Sequence, residues 1–219
     1  MSLHRPHPRF QRAVSRLAAP CALALACTAS LAGPSVVDPI GDFLPTFAGS
    51  TLSADLDVVD ATVIYNTANN TFTLSSTQAG NVGSTPTGFY VWGVDRGTGT
   101  AGFASIGITG VFFDTVVVLR PNGTGTAAGT ALPAGSITVS GKTISATFSA
   151  SLLPSTGYTT NKYLWNLWPR DGAFSGNAAI SDFAPNNASF TASAVPESAS
   201  LGLMVAGLGL LAWRRRPAR

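Results

Sequence analysis

Apolar and polar residues alternate with a period of two over several short stretches of this chain, the spacing of half-buried strands. Over 57–65, Val59, Ala61, Val63 and Tyr65 fall on one face. The turn Thr67-Ala68-Asn69-Asn70 follows, and 71–75 alternates again with Phe72 and Leu74 inward, which predicts a hairpin. A second tight hairpin is expected where 136–140 and 143–149 flank Gly141-Lys142, with Ile144, Ala146 and Phe148 on the core face. Near-continuous apolar runs at 88–95 and 114–120 predict buried strands, and 163–168 the last strong one. Residues 102–113 read as a strand or two, and 188–192 as a short closing strand. Between Gly33 and Ser193 no amphipathic stretch reaches about ten residues, and β-branched and aromatic residues outweigh helix formers. The expected fold is all-β, a single antiparallel β-sandwich of about 8–9 strands. Parallel βαβ topology lacks its helices.

The pattern changes at both ends. Arg5, Arg9, Arg12 and Arg16 precede an alanine-rich apolar run, Leu17 to Leu31, and Ser30-Leu31-Ala32 offers the small residues that signal peptidase reads. Residues 1–32 are therefore expected to be a signal peptide, cut before Gly33. The other end has three parts in order: Val195-Pro196-Glu197-Ser198, an uncharged apolar run from Ala199 to Trp213, and Arg214, Arg215 and Arg216. A helix over 199–213 is roughly 22 Å long, short of a ~30 Å hydrocarbon core but able to hold in a thinned membrane with snorkelling arginines. The arginines stay cytoplasmic, so the body lies outside. Between the ends, 33–185 reads as the β domain and 186–194 as a short polar stalk.

That tail resembles the PEP-CTERM sorting signal of exported Gram-negative proteins. Val195, Pro196 and Glu197 match its Pro-Glu-Pro motif, with Ser198 where a second proline is usual. The glycine-containing apolar run and Arg214-Arg215-Arg216 match the rest. The resemblance covers about 25 residues. It implies an exosortase-type membrane protease as partner, cutting near the motif, and an association with exopolysaccharide and the cell surface. It carries no activity for the remaining chain. A plain C-terminal anchor holding a periplasmic domain is the alternative.

Charge and composition then look different. The whole chain is formally +3, but eight of its thirteen Lys and Arg lie in the two ends. The body keeps Arg96, Arg120, Lys142, Lys162 and Arg170 against nine aspartates, a net −4. Nucleic acid, which needs a basic face, is disfavoured as a partner. Both cysteines, Cys21 and Cys27, and both histidines, His4 and His7, belong to the leader. The mature body thus has no disulfide, no Cys or His nucleophile or base, and no nitrogen or sulfur ligand for zinc, iron or copper. No cofactor and no enzymatic activity are expected.

Three patterns merit a chemical reading. Gly97-Thr98-Gly99-Thr100-Ala101-Gly102 fits G-x-G-x-x-G after a strand, but Phe103 to Gly110 is not helical, so a hairpin loop is the better reading. Asp38, Asp42, Asp55 and Asp57 offer hard oxygen ligands and are weak calcium candidates. Within a strand Asp55 and Asp57 share a face while Asp60 points away, and solvated edge aspartates that resist strand pairing are the plainer reading. Last, Tyr90 to Gly97 and Trp165 to Gly172 are alike, each an aromatic strand ending in Asp, Arg and Gly. If these strands are neighbours, Trp92, Asp95, Arg96, Trp165, Trp168, Arg170 and Asp171 would meet at one rim suited to a glycan, with core tryptophans and turn-capping ion pairs as the structural alternative. The expected function is an exported, non-catalytic surface or matrix protein, with a carbohydrate-binding module as the alternative.

Overall fold

The computed structural model describes residues 35–195. The chain divides into two units, 1–30 and 31–219, and every described residue belongs to the second. The expected signal peptide, the motif residues Pro196 and Glu197, the helix over 199–213 and Arg214 to Arg216 lie outside the described residues.

In chain order the described strands are β1 (Ser35–Val37), β2 (Val58–Asn66), β3 (Thr71–Gln78), β4 (Gly88–Asp95), β5 (Thr100–Phe103), β6 (Ile108–Phe113) and β7 (Thr115–Leu119). Then come β8 (Gly125–Ala127), β9 (Thr130–Ala131), β10 (Ile137–Ser140), β11 (Thr143–Ser149), β12 (Leu164–Asp171), β13 (Phe190–Thr191) and β14 (Ser193–Val195). The described helices are 3-10 turns of three or four residues, so the domain is all-β. One sheet runs β1-β2-β3-β11-β10, and a second runs β13-β12-β4-β7-β8-β9. β5 and β6 form a separate hairpin. Among the described residues all strand pairings are antiparallel except one: β14 lies parallel to β2 along 64–66, on the edge that β1 occupies at 60–62. The segment expected as a stalk is thereby drawn into both sheets, through β13 and β14.

The two sheets face each other in a sandwich-like arrangement because each strand turns its alternate apolar residues to a shared interior. Val63, Phe72, Leu74, Ile144 and Phe148 come from the first sheet, and Tyr90, Trp92, Val117, Leu119, Trp165 and Leu167 from the second. The Phe72 ring joins them, 5.0 Å from Trp165 and 5.9 Å from Tyr163 between centroids. The second sheet also buries its outer face. There Val91, Phe103, Val111, Trp168, Ile180 and Phe183 pack together under the β5–β6 hairpin and residues 180–184. Burial on both faces explains why β4 reads as an unbroken apolar run rather than an alternation. Gly93 makes room for this packing: a Cβ there would come within 2.3 Å of the Trp168 ring.

One phase was misjudged from the sequence. A bulge between Val58 and Asp60 puts Val58, not Val59, in the interior, although Ala61 and Val63 point inward as expected.

Candidate cation site and the expected glycan rim

Three chain segments meet at one end of the domain. The first follows β1: Asp38 N–H donates to Val59 O, and the chain turns at Gly41, whose φ of +84° is left-handed and suits glycine. The second is the approach to β2, with Asp57. The third is 180–184, which lies along β12 through a reciprocal pair of backbone bonds between Leu167 and Ala184. Leu44 N–H donates to Ser181 O at 2.8 Å, and the Ser181 hydroxyl to Leu56 O at 2.7 Å. These bonds fix the backbones and bring Asp38, Asp42 and Asp182 together. Each offers one carboxylate oxygen, and the three oxygens lie within 4.8 Å of one another.

The surroundings of these carboxylates are poor in positive charge. Asp182 is fully buried; its Oδ2 accepts from Val58 N–H at 2.9 Å and its Oδ1 from Phe183 N–H at 2.6 Å. Asp38 is 5% exposed, and its Oδ2 is buried without a hydrogen-bond partner. Asp42 Oδ1 is in the same condition, while its Oδ2 accepts from the Asn186 amide at 2.8 Å. Beside them both oxygens of Asp57 accept from Gly41 N–H, at 3.1 and 2.9 Å. The only salt bridge among the described residues is elsewhere, between Arg96 and Asp114. Burial, and then the neighbouring carboxylates, push the acids up: Asp38 to about 7 and Asp182 to about 8, against an ordinary 3.8. For Asp182 the two backbone donors act the other way without prevailing. Burial raises Asp57 as well.

Of the calcium candidates, Asp38, Asp42 and Asp57 come together here and Asp55 does not. Asp55 accepts from Thr85 N–H at 2.8 Å and from its hydroxyl at 2.7 Å, which fixes the loop before β4. They are not solvated edge residues: Asp38, Asp55 and Asp57 are all buried. Sequence reasoning missed Asp182. A signal was there, since it is an acid inside the apolar run Ile180-Ser181-Asp182-Phe183-Ala184.

The expected rim does not form. Its two strands, β4 and β12, are neighbours, but they run antiparallel, with Asp95 opposite Leu164 and Asp171 opposite Gly88. Their ends, and so the two carboxylates, stand roughly 23 Å apart along the ladder. Trp92 and Trp165 are fully buried between the sheets, and Trp168 is 2% exposed in the outer cluster, so none presents a face. The polar members are structural. Asp95 Oδ1 accepts from Gly97 and Gly99 N–H, at 2.8 and 2.7 Å, closing the glycine-rich loop without a helix. Arg96 Nε donates to Asp114 Oδ1 at 2.8 Å, and its Nη1 to Pro154 O at 2.9 Å. Arg170 donates to Gly176 O at 2.6 Å. Asp171 Oδ1 accepts from the Thr87 hydroxyl and from Ala173 N–H.

The outer face of the second sheet carries an open groove of about 610 Å³. Phe89, Phe113 and Phe174 line it, together with Arg120 and Arg170. The Arg120 guanidinium sits 4.9 Å over the Phe89 ring. Comparison of the chain with protein-family models, with curated proteins and with solved structures found no match.

Proposed function

We propose that the chain is an exported, non-catalytic surface or matrix protein, delivered by an exosortase-type protease and associated with exopolysaccharide. The observation that carries this reading is the ordered tail: Val195-Pro196-Glu197, the apolar run 199–213, and Arg214-Arg215-Arg216. The body adds support. Lacking Cys and His, it has none of the common nucleophile–base pairs, and its similar Asp-Arg strand ends are engaged in closing turns. β14 runs to Val195, so the folded domain reaches the motif directly. The test is the mass of the protein recovered from outside the host's cells, with and without its exosortase. A product running from near Gly33 to near Pro196-Glu197, lost without that enzyme, is expected. An intact C-terminus retained in the inner membrane would overturn the sorting and leave an anchored periplasmic domain.

The groove favours glycan binding as a second reading. Aromatic faces stack on sugar rings and guanidinium groups bond to hydroxyls, and the groove offers both. Its members differ from those expected: Phe89, Phe113, Phe174 and Arg120 replace the buried Trp92 and Trp165, while Arg170 and the nearly buried Trp168 remain in its lining. Retention of the chain on immobilised exopolysaccharide, reduced at least tenfold by Phe174→Ala, is the expected result. Equal retention of the variant would sink it.

A further inference from the structure

We propose that Asp38, Asp42 and Asp182 form a binding site for a hard divalent cation of the calcium class, with Asp57 as a flanking carboxylate. Three facts converge on it. The carboxylate oxygens are close enough for one ion: two oxygens on opposite sides of an ion bound at about 2.4 Å are about 4.8 Å apart, and the three oxygens lie within 4.8 Å of one another. Two of the carboxylates carry buried oxygens with no donor, Asp38 Oδ2 and Asp42 Oδ1, and Asp38 is 95% buried. Buried acceptors normally have partners, so a pair of orphans in one acidic cluster points to a missing positive group. No Lys or Arg among the described residues forms a salt bridge with any of the four aspartates.

Oxygen-only ligands select calcium, magnesium or manganese over zinc or copper. Calcium tolerates irregular geometry and mixed carboxylate and water ligands, whereas magnesium demands a tighter octahedron. Asp42 is only partly buried, so water has access to complete the shell. The ion would act as a clamp. It would join the segment after β1 to residues 180–184, 144 positions away from Asp38 at Asp182, and so tie the two ends of the domain together. The competing arrangement is a proton shared between Asp38 and Asp182, whose carboxyls are within hydrogen-bonding reach.

The two arrangements separate in one experiment. The full chain in mild detergent is stripped with EDTA, then titrated with calcium, magnesium or zinc chloride by calorimetry and by thermal unfolding. One calcium ion per chain is expected, with a dissociation constant of roughly 10⁻⁶–10⁻³ M. A rise in the thermal midpoint of roughly 5–10 °C is expected at 10 mM calcium, with a smaller rise for magnesium. Asp38→Asn and Asp182→Asn should abolish the rise; in EDTA Asp38→Asn should melt close to the parent, whereas Asp182→Asn, whose amide has one acceptor oxygen for the two N–H groups of Val58 and Phe183, should melt lower. Asp42→Asn, at a half-exposed position, carries the test if either buried variant fails to fold. Asp60→Asn, on β2 and outside the cluster, should keep the full rise. No bound ion and no calcium-dependent shift in the parent would overturn the site, as would an undiminished shift in all three cluster variants.

Discussion

Asp114 and Asp182 are both carboxylates held out of open solvent beside the second sheet, and they differ in what surrounds them. Asp114 collects donors from every side: Arg96 through Nε and N–H, and the hydroxyls of Thr98 and Thr156. Burial acts to raise its pKa, but the Thr156 and Arg96 hydrogen bonds and the Arg96 charge outweigh it, and the net shift is downward. Asp182 has two backbone donors and two acidic neighbours, and its shift is upward. Asp95 and Asp171 behave like Asp114 in being satisfied by nearby donors. A buried carboxylate with a full set of donors is part of the scaffold. One that faces other carboxylates with no cation beside it, as Asp182 does despite its two backbone donors, suits a proton or a metal ion.

The sharpest way to break this contrast is to remove a partner where partners are complete. Asp114→Ala leaves the Arg96 guanidinium, 12% exposed, without its ion pair. A loss of about 3 kcal/mol is expected in urea unfolding, since a desolvated charge is left uncompensated. Loss below about 1 kcal/mol would mean that the ion pair is effectively solvated.

The pH profile should separate the two regions by sign. In EDTA, Asp38 and Asp182 bind protons in the native state up to about 7 and about 8, whereas unfolded carboxyls release them near 3.8. Between those limits the native state holds more protons, so the stabilising contribution is complete below the unfolded value and is lost as pH rises toward neutrality. Asp114 runs the other way: its contribution is present above the ordinary carboxylate range and is lost as pH falls through its lowered native value. Unfolding midpoints measured in EDTA from pH 4 to pH 8 check this, with Asp182→Asn expected to flatten the decline.

Smaller effects follow. Asp171→Ala deletes an acceptor for the Thr87 hydroxyl and Ala173 N–H, and should cost about 1–2 kcal/mol. Asp60→Asn, half-exposed and outside the cluster, should change stability by less than about 0.5 kcal/mol with or without calcium.

The hairpins were legible because period-two alternation over 71–75 and 143–149 is a local property, as are the turns at 67–70 and 141–142. The β4 boundaries, Gly88 and Asp95, could likewise be read from a continuous apolar run. Strands of two or three residues, such as β1, β8, β9 and β14, carry too little pattern to stand out, and their pairing depends on long-range neighbours. The same limit governed the sites. The Asp-Arg ends of β4 and β12 look alike in sequence, but the direction of pairing decides whether they meet, and antiparallel pairing separates them. Asp38 and Asp42 of the cluster, and Asp57 flanking it, were visible as candidates. Asp182 reaches them only through the backbone bonds of Ser181 and Val58 across the whole domain.

The most direct measurement is native mass spectrometry of the full chain released from detergent, after equilibration with 1 mM calcium chloride, beside Asp182→Asn. One calcium ion displacing two protons in the parent, and none in the variant, is the predicted result. A parent that remains metal-free, with the same mass after calcium as after EDTA, would contradict the assignment and leave Asp38 and Asp182 as a proton-sharing pair.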